Sequence, residues 1–216
     1  DETIKKRVVD QLYWDGRVDA SNIEVEVDDG IVTLKGTVPN YTTRHDTVLD
    51  AWYVEGVKGL ENEIEVKYPS TVKLPDDEQI KSTIDNKLFW SQYVDSSDID
   101  VSVDSGFVEL EGTVDSYWKK KRVEEMATMA DGIFSIENKV AVVPSESIVD
   151  KTIADWVVDA MDRNMHVNPD DVTVKVDDGI VTLTGTVSDW LAYRAAMNAA
   201  EYTTGVTDVI DLLKIE

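Results

Sequence analysis

Apolar and polar residues alternate along three stretches of the chain that nearly copy one another. In the first, Ile23, Val25 and Val27 alternate with Glu24 and Glu26. Beyond Asp29-Gly30, Val32, Leu34 and Val38 alternate with Thr33, Lys35 and Thr37. A period of two on both sides of an Asp-Gly pair predicts a β-hairpin with one dry and one wet face, the glycine supplying a positive φ. The pattern returns 76 residues later around Ser105-Gly106, with Ile99, Val101, Val103, Val108 and Leu110. It returns 149 residues after the first around Asp178-Gly179, with Val172, Val174, Val176, Val181 and Leu183.

Ahead of each hairpin the apolar spacing changes to that of a helix: Ile4, Val8, Leu12; then Ile80, Ile84, Leu88; then Ile153, Val157, Met161. Asp1-Glu2-Thr3 places acidic and capping residues at the first helix start. Asp76 with Gln79 resembles a capping box, and Gly16 suits a helix stop. After Pro39-Asn40 a second helix is predicted from about Tyr41 to Glu55, stopping at Gly56. A last strand then carries Val57, Leu60, Ile64 and Val66, matched by Ile133, Ile136, Val140 and Val142 and by Val206, Val209, Leu213 and Ile215. In every copy a glycine (Gly56, Gly132, Gly205) lies 20 positions beyond the one opening Gly-Thr-Val (Gly36, Gly112, Gly185).

The order α-β-β-α-β, three times, predicts an α+β fold of three tandem two-layer domains, each with two helices on one face of a three-stranded sheet. Val32, Leu34, Val108, Leu110, Val181 and Leu183 are expected under the helices, with Thr33, Glu109 and Thr182 on the other face. A one-residue slip would invert them all. Gly30, Gly106 and Gly179 are expected in the hairpin turns, and Gly36, Gly56, Gly112, Gly132, Gly185 and Gly205 in turns and close packing. The domains read as 1–68, 76–144 and 145–216. Pro69–Pro75 forms a short semi-rigid linker, while only Pro144-Ser145 parts the second unit from the third. Units this small lie near the low end for independent folding, so a compact or stiffly articulated trio is expected.

The hairpin motif Gly-(Ile/Phe)-Val-x-Leu-x-Gly-Thr-Val and the closing Gly-Val-x-x-Leu-x-Asn-x-Ile resemble the BON-domain family of bacterial osmotic-stress and nodulation proteins. Gly30, Gly36, Gly56 and Asn62 stand at its signature positions, as do Gly106, Gly112, Gly132 and Asn138; in the third copy Asp211 replaces the asparagine. The resemblance implies a bacterial envelope or stress-response protein that is not an enzyme, in a family for which phospholipid contact or chaperone-like work has been proposed. It places the protein in the periplasm or outside the cell, with the cytoplasm left open. An opening at Asp1 without methionine or apolar leader is what a removed signal peptide or a trimmed chain would leave.

Charge narrows the partners. Basic residues number 21 and acidic ones 44, for a net −23. Residues 1–68 hold 8 basic and 15 acidic side chains, residues 76–144 hold 7 and 15, and residues 145–216 hold 5 and 14. Acid spread over every unit repels phosphate backbones and anionic lipid, which argues against nucleic acid and leaves only weak lipid contact. No run reaches the roughly 18 apolar residues of a membrane span. The absence of cysteine removes thiolate chemistry. His45 and His166 fall at non-equivalent positions, so no triad, metal site or phosphate loop has its parts, and no catalytic residue or cofactor is expected. Asp28-Asp29 and Asp177-Asp178 could hold a divalent cation, but a turn has little room for six ligands.

Three sets of contact candidates remain. Tyr117, Trp118, Lys119, Lys120, Lys121 and Arg122 form the one basic cluster, suited to a lipid headgroup layer, an acidic partner or a solvated helix face. Tyr41, Tyr117 and Trp190 start the second helix of each unit, for packing or for contact with a neighbour. Ile31, Phe107 and Ile180 interrupt the wet face directly after each turn glycine, either to dock units together or to cover their own hairpin. The first reading is a non-catalytic binding or stress-protection protein touching lipid or client proteins. The alternative is a secreted subunit that assembles with itself.

Overall fold

The computed structural model describes all of residues 1–216 as an α+β chain of three similar units. The first contains α1 (Glu2–Trp14), β1 (Ile23–Asp28), β2 (Ile31–Val38), α2 (Tyr41–Trp52) and β3 (Gly59–Val66). The second contains α3 (Asp77–Phe89), β4 (Ile99–Asp104), β5 (Phe107–Val114), α4 (Tyr117–Thr128) and a third strand in two pieces, β6 (Ser135–Asn138) and β7 (Ala141–Val142). The third contains α5 (Asp150–Asp162), β8 (Val172–Asp177), β9 (Ile180–Val187), α6 (Trp190–Glu201) and β10 (Asp208–Ile215).

In each sheet the second strand is central. It pairs antiparallel with the first across a tight turn and parallel with the third across the second helix. Both residues of each turn have positive φ: Asp29 and Gly30 at 50° and 80°, Ser105 and Gly106 at 54° and 78°, Asp178 and Gly179 at 51° and 77°. That pair of angles marks a type I′ turn, whose twist matches the strands it joins. A carboxylate at each first-helix start then closes the turn. Gly30 donates its N–H to Asp1 at 3.0 Å, Ser105 and Gly106 donate to Asp77 at 2.8 and 2.9 Å, and Asp178 and Gly179 donate to Asp150 at 3.0 and 2.9 Å. Asp1 therefore serves the hairpin instead of capping α1, which has no side-chain cap bond.

Helix ends differ from the expected positions. The second helix stops at Trp52, three residues short of Glu55, because Val54 bonds to the Ala51 carbonyl and tightens the last turn before Gly56 reverses at φ 96°. At the end of α1 the stop is Asp15, whose carboxylate takes the Arg17 N–H at 2.9 Å; Gly16 has no positive φ. The broken third strand of unit two is the other departure. At the break, Asn138 accepts the Val140 N–H at 3.1 Å and donates to the Lys120 carbonyl at 3.0 Å, which ties the strand to α4.

Val32, Leu34, Val108, Leu110, Val181 and Leu183 all lie buried beneath the helices. Thr33, Glu109 and Thr182 are half-buried on the opposite face, where Glu109 pairs with Lys139. That face is not uniformly polar in unit three: Ile210 and Leu212 join Ile180 as exposed apolar side chains. Each unit keeps its own core, of 11, 15 and 14 buried residues in chain order, so none is large.

Gly112 sits at φ 124°, and a Cβ there would stand 2.0 Å from the Asp98 carbonyl oxygen. Gly112→Ala is expected to cost the second unit about 3 kcal/mol in denaturant unfolding, through strain and overlap together. Gly16→Ala, with nothing within 4 Å of the added carbon, is expected to change little.

Candidate functional site

The helix-start aromatics join the units. Tyr41, first residue of α2, packs on the core of unit two, and the neighbouring Thr42 hydroxyl donates to the Thr128 carbonyl at 3.3 Å. The same joint includes Tyr68, whose hydroxyl accepts the Gly132 N–H at 3.0 Å, donates to the Ile133 carbonyl at 3.1 Å and sets its ring against Phe134 at 5.4 Å. Tyr117, first residue of α4, packs on the core of unit three, and Trp118 stacks on Tyr202 at 6.5 Å. Trp190, first residue of α6, lies back on unit one. Its ring is 4.4 Å from that of Trp52 and 9° from parallel, with Tyr193 completing the stack at 5.0 Å.

The joints obey one rule. Trp52, Thr128 and Glu201 end α2, α4 and α6 at equivalent positions, and each lies at the joint where the preceding unit arrives. The second helices thus follow one another head to tail, and the third returns to the first. The cycle is closed.

Burial governs the electrostatics of the joints. It raises the phenols of Tyr41 and Tyr68, and pushes that of Tyr117 up to about 12, with the charges of Asp208 and Glu201 adding to the effect. Glu201 is only 7% exposed, and burial raises its carboxyl above the ordinary value, opposed by the charges of Lys121 and Arg194. The Trp190 indole N–H is buried without a hydrogen-bond partner.

The basic cluster is engaged within the chain. Lys119 pairs with Asp115 at 2.7 Å and lies over the Trp118 ring, Arg122 pairs with Glu125 at 2.6 Å, and Lys121 offsets buried Glu201. The Lys120 carbonyl receives Asn138. Ile31, Phe107 and Ile180 are partly exposed, and the structure sets the first two against their own units: Ile31 beside Gly59, Phe107 stacked on Phe134. Phe134 in turn meets Tyr68 of unit one edge-on. His45 and His166 are exposed, and no cluster of three acidic or histidine side chains is placed to hold a metal. No helix is long and apolar enough to cross a membrane.

Sequence reasoning missed the exposed helix ends. Tyr13 and Trp14 close α1 at 73% and 81% exposure, and Phe89 and Trp90 occupy the equivalent place at the end of α3 at 67% and 79%. Unit three has Asp162 and Arg163 there. Beside Trp90 opens a groove of about 770 Å³ lined by Lys87, Tyr93, Arg122, Met126 and Met129 among others. The signal was available: two consecutive large aromatics fall past the buried stripe, in two copies of three.

Residues 1–68, 76–144 and 149–216 each match the BON domain. The chain belongs to the BON domain family. A curated relative is the Osmotically-inducible protein Y of Escherichia coli (strain K12), 31% identical over 141 residues, or 64% of this chain and 70% of that protein. Two solved structures of CdsD, a structural protein of the Type III secretion system of Chlamydia trachomatis, also align. The first, of its C-terminal domain, is 12% identical over 98% of this chain and 96% of that one, with a TM-score of 0.28; the second is 13% identical over 99% and 91%, with a TM-score of 0.27. Superpositions that loose carry no weight for shared arrangement.

The third BON unit also accounts for its own departure. Asn62, Asn138 and Asp211 each accept the N–H two residues on, at 3.0 to 3.1 Å, a bond that aspartate makes equally well. The lost amide donor is matched on α6, where the Tyr193 hydroxyl donates to the other Asp211 oxygen at 2.5 Å. Burial first and Asp211 second raise that phenol far above its usual range.

Glu201 yields a pH test. Its folded pKa lies above the unfolded value of about 4.5, so its favourable contribution is complete below 4.5 and lost as pH rises through the raised value. Glu201→Gln is expected to stabilise unit three at neutral pH. The gain should vanish towards pH 4.5, as followed by thermal unfolding of both proteins across that range.

Proposed function

We propose that this BON chain is a non-catalytic binding protein of the bacterial envelope, in the periplasm or outside the cell, that protects other proteins under osmotic stress. It holds unfolded clients through the exposed aromatic ends of α1 and α3. The observation that carries this reading is the exposure of the helix-end residues Tyr13, Trp14, Phe89 and Trp90 in a chain whose helix-start aromatics are engaged in joints. Large apolar rings left in water at equivalent places favour a contact surface. The name of the Escherichia coli relative supports osmotic stress as the setting.

Charge supports client proteins over membranes. A net −23 keeps a loaded complex soluble and repels anionic headgroups. The four cations at Lys119–Arg122 are partly neutralised by Asp115, Glu125 and Glu201, so a local basic patch is weak.

The test is aggregation of a heat-unfolded client followed by light scattering. The chain is expected to suppress scattering, and the double variant Trp14→Glu, Trp90→Glu to lose most of that protection with an unchanged circular dichroism spectrum. Equal protection by the variant, or none by the unaltered chain, would sink the reading. Replacing Lys119–Arg122 with glutamine should leave client protection intact and reduce any residual, salt-sensitive sedimentation with anionic vesicles.

A further inference from the structure

The joint between the third and first units has no local tether. Residues 69–75 connect units one and two, and Pro144-Ser145 leads directly from unit two into unit three. The third joint is held by the stack of Trp190 and Tyr193 on Trp52, beside a cavity of about 470 Å³ whose lining includes Glu55, Ile215 and Glu216. It also brings together two units of like charge, with 8 basic against 15 acidic residues in one and 5 against 14 in the other. The Trp190 N–H, buried there without a partner, would regain water on opening.

We propose that this joint is a clasp that exchanges between copies of the chain: when it opens, Trp190 of one copy docks on Trp52 of another. The partner is a second copy of this chain because the two freed surfaces already fit each other in the closed ring. The docking mode is also transferable, since the same helix start meets the same helix end at all three joints. Head-to-tail surfaces of this kind close when exchange is reciprocal, giving a ring of six units from two chains. One-sided exchange continues as a string. Within one chain the closing ends see each other at an effective concentration of about 1 mM, which keeps the single ring dominant in dilute solution. This inference is independent of client holding.

Complementing full-length variants test it. Trp52→Thr removes one half of the clasp and places there the residue that unit two carries at the equivalent position, Thr128. Trp190→Ser removes the other half. Neither residue belongs to the fully buried cores, and an unchanged circular dichroism spectrum checks that both variants fold. Each variant alone is expected to keep the mass of one chain and to show a larger radius of gyration by X-ray scattering. Mixed in equal amounts at chain concentrations on the order of 1 mM, they retain one intact clasp between them: Trp190 of the first with Trp52 of the second. The expected result is a doubling of mass by light scattering in the mixture and in neither component. A mixture that keeps the single-chain mass would overturn exchange. Single variants with an unchanged radius would overturn the clasp itself.

Discussion

The second helix of each unit begins with an aromatic residue that rests on the next unit, and the arrangement of the chain follows from that contact. Cores of 11 to 15 buried residues are small for independent folding, so each unit gains from apolar surface supplied by its neighbour. Stability in such an array is a sum of unit terms and joint terms. Closing the array into a cycle gives every unit two joints. An open row of three would leave its end units with one each.

Much of the fold was legible because it rests on periodicity. The alternation of Val32 and Leu34 with Thr33, and the Asp-Gly and Ser-Gly pairs between strands, specify face and turn through local rules. What escaped the sequence depends on contacts between distant residues. Asp1 reads as a helix-start acid, and only the folded chain brings it, and its counterparts Asp77 and Asp150, to the turn N–H groups 28 and 29 residues away. Trp52 and Trp190 are 138 positions apart, and no spacing rule pairs them. The exposed ends were hidden for the opposite reason: Trp14 and Trp90 touch little, so their meaning lies in what they leave uncovered.

The acidic composition is also less uniform in its role than a count suggests. Some carboxylates hold the architecture: Asp77 and Asp150 each accept two turn amides, and the hydrogen bonds from Arg17 keep Asp15 well below the usual carboxylate range. Glu201 does the reverse, since burial at a joint works against its charge. The basic residues near Trp118 pair with Asp115 and Glu125, which explains a cationic run inside a strongly anionic chain without requiring an anionic ligand.

Carrying the three copies on one polypeptide frees each joint to change alone. A ring of three identical chains would repeat every substitution at all three seams. Here the helix-start residue is tyrosine, tyrosine and tryptophan, and the surface receiving it ends in threonine, glutamate and tryptophan. One seam can be weakened or reinforced while its two neighbours stay as they are. The order in which the ring comes apart is therefore a heritable property, separable from the stability of the units.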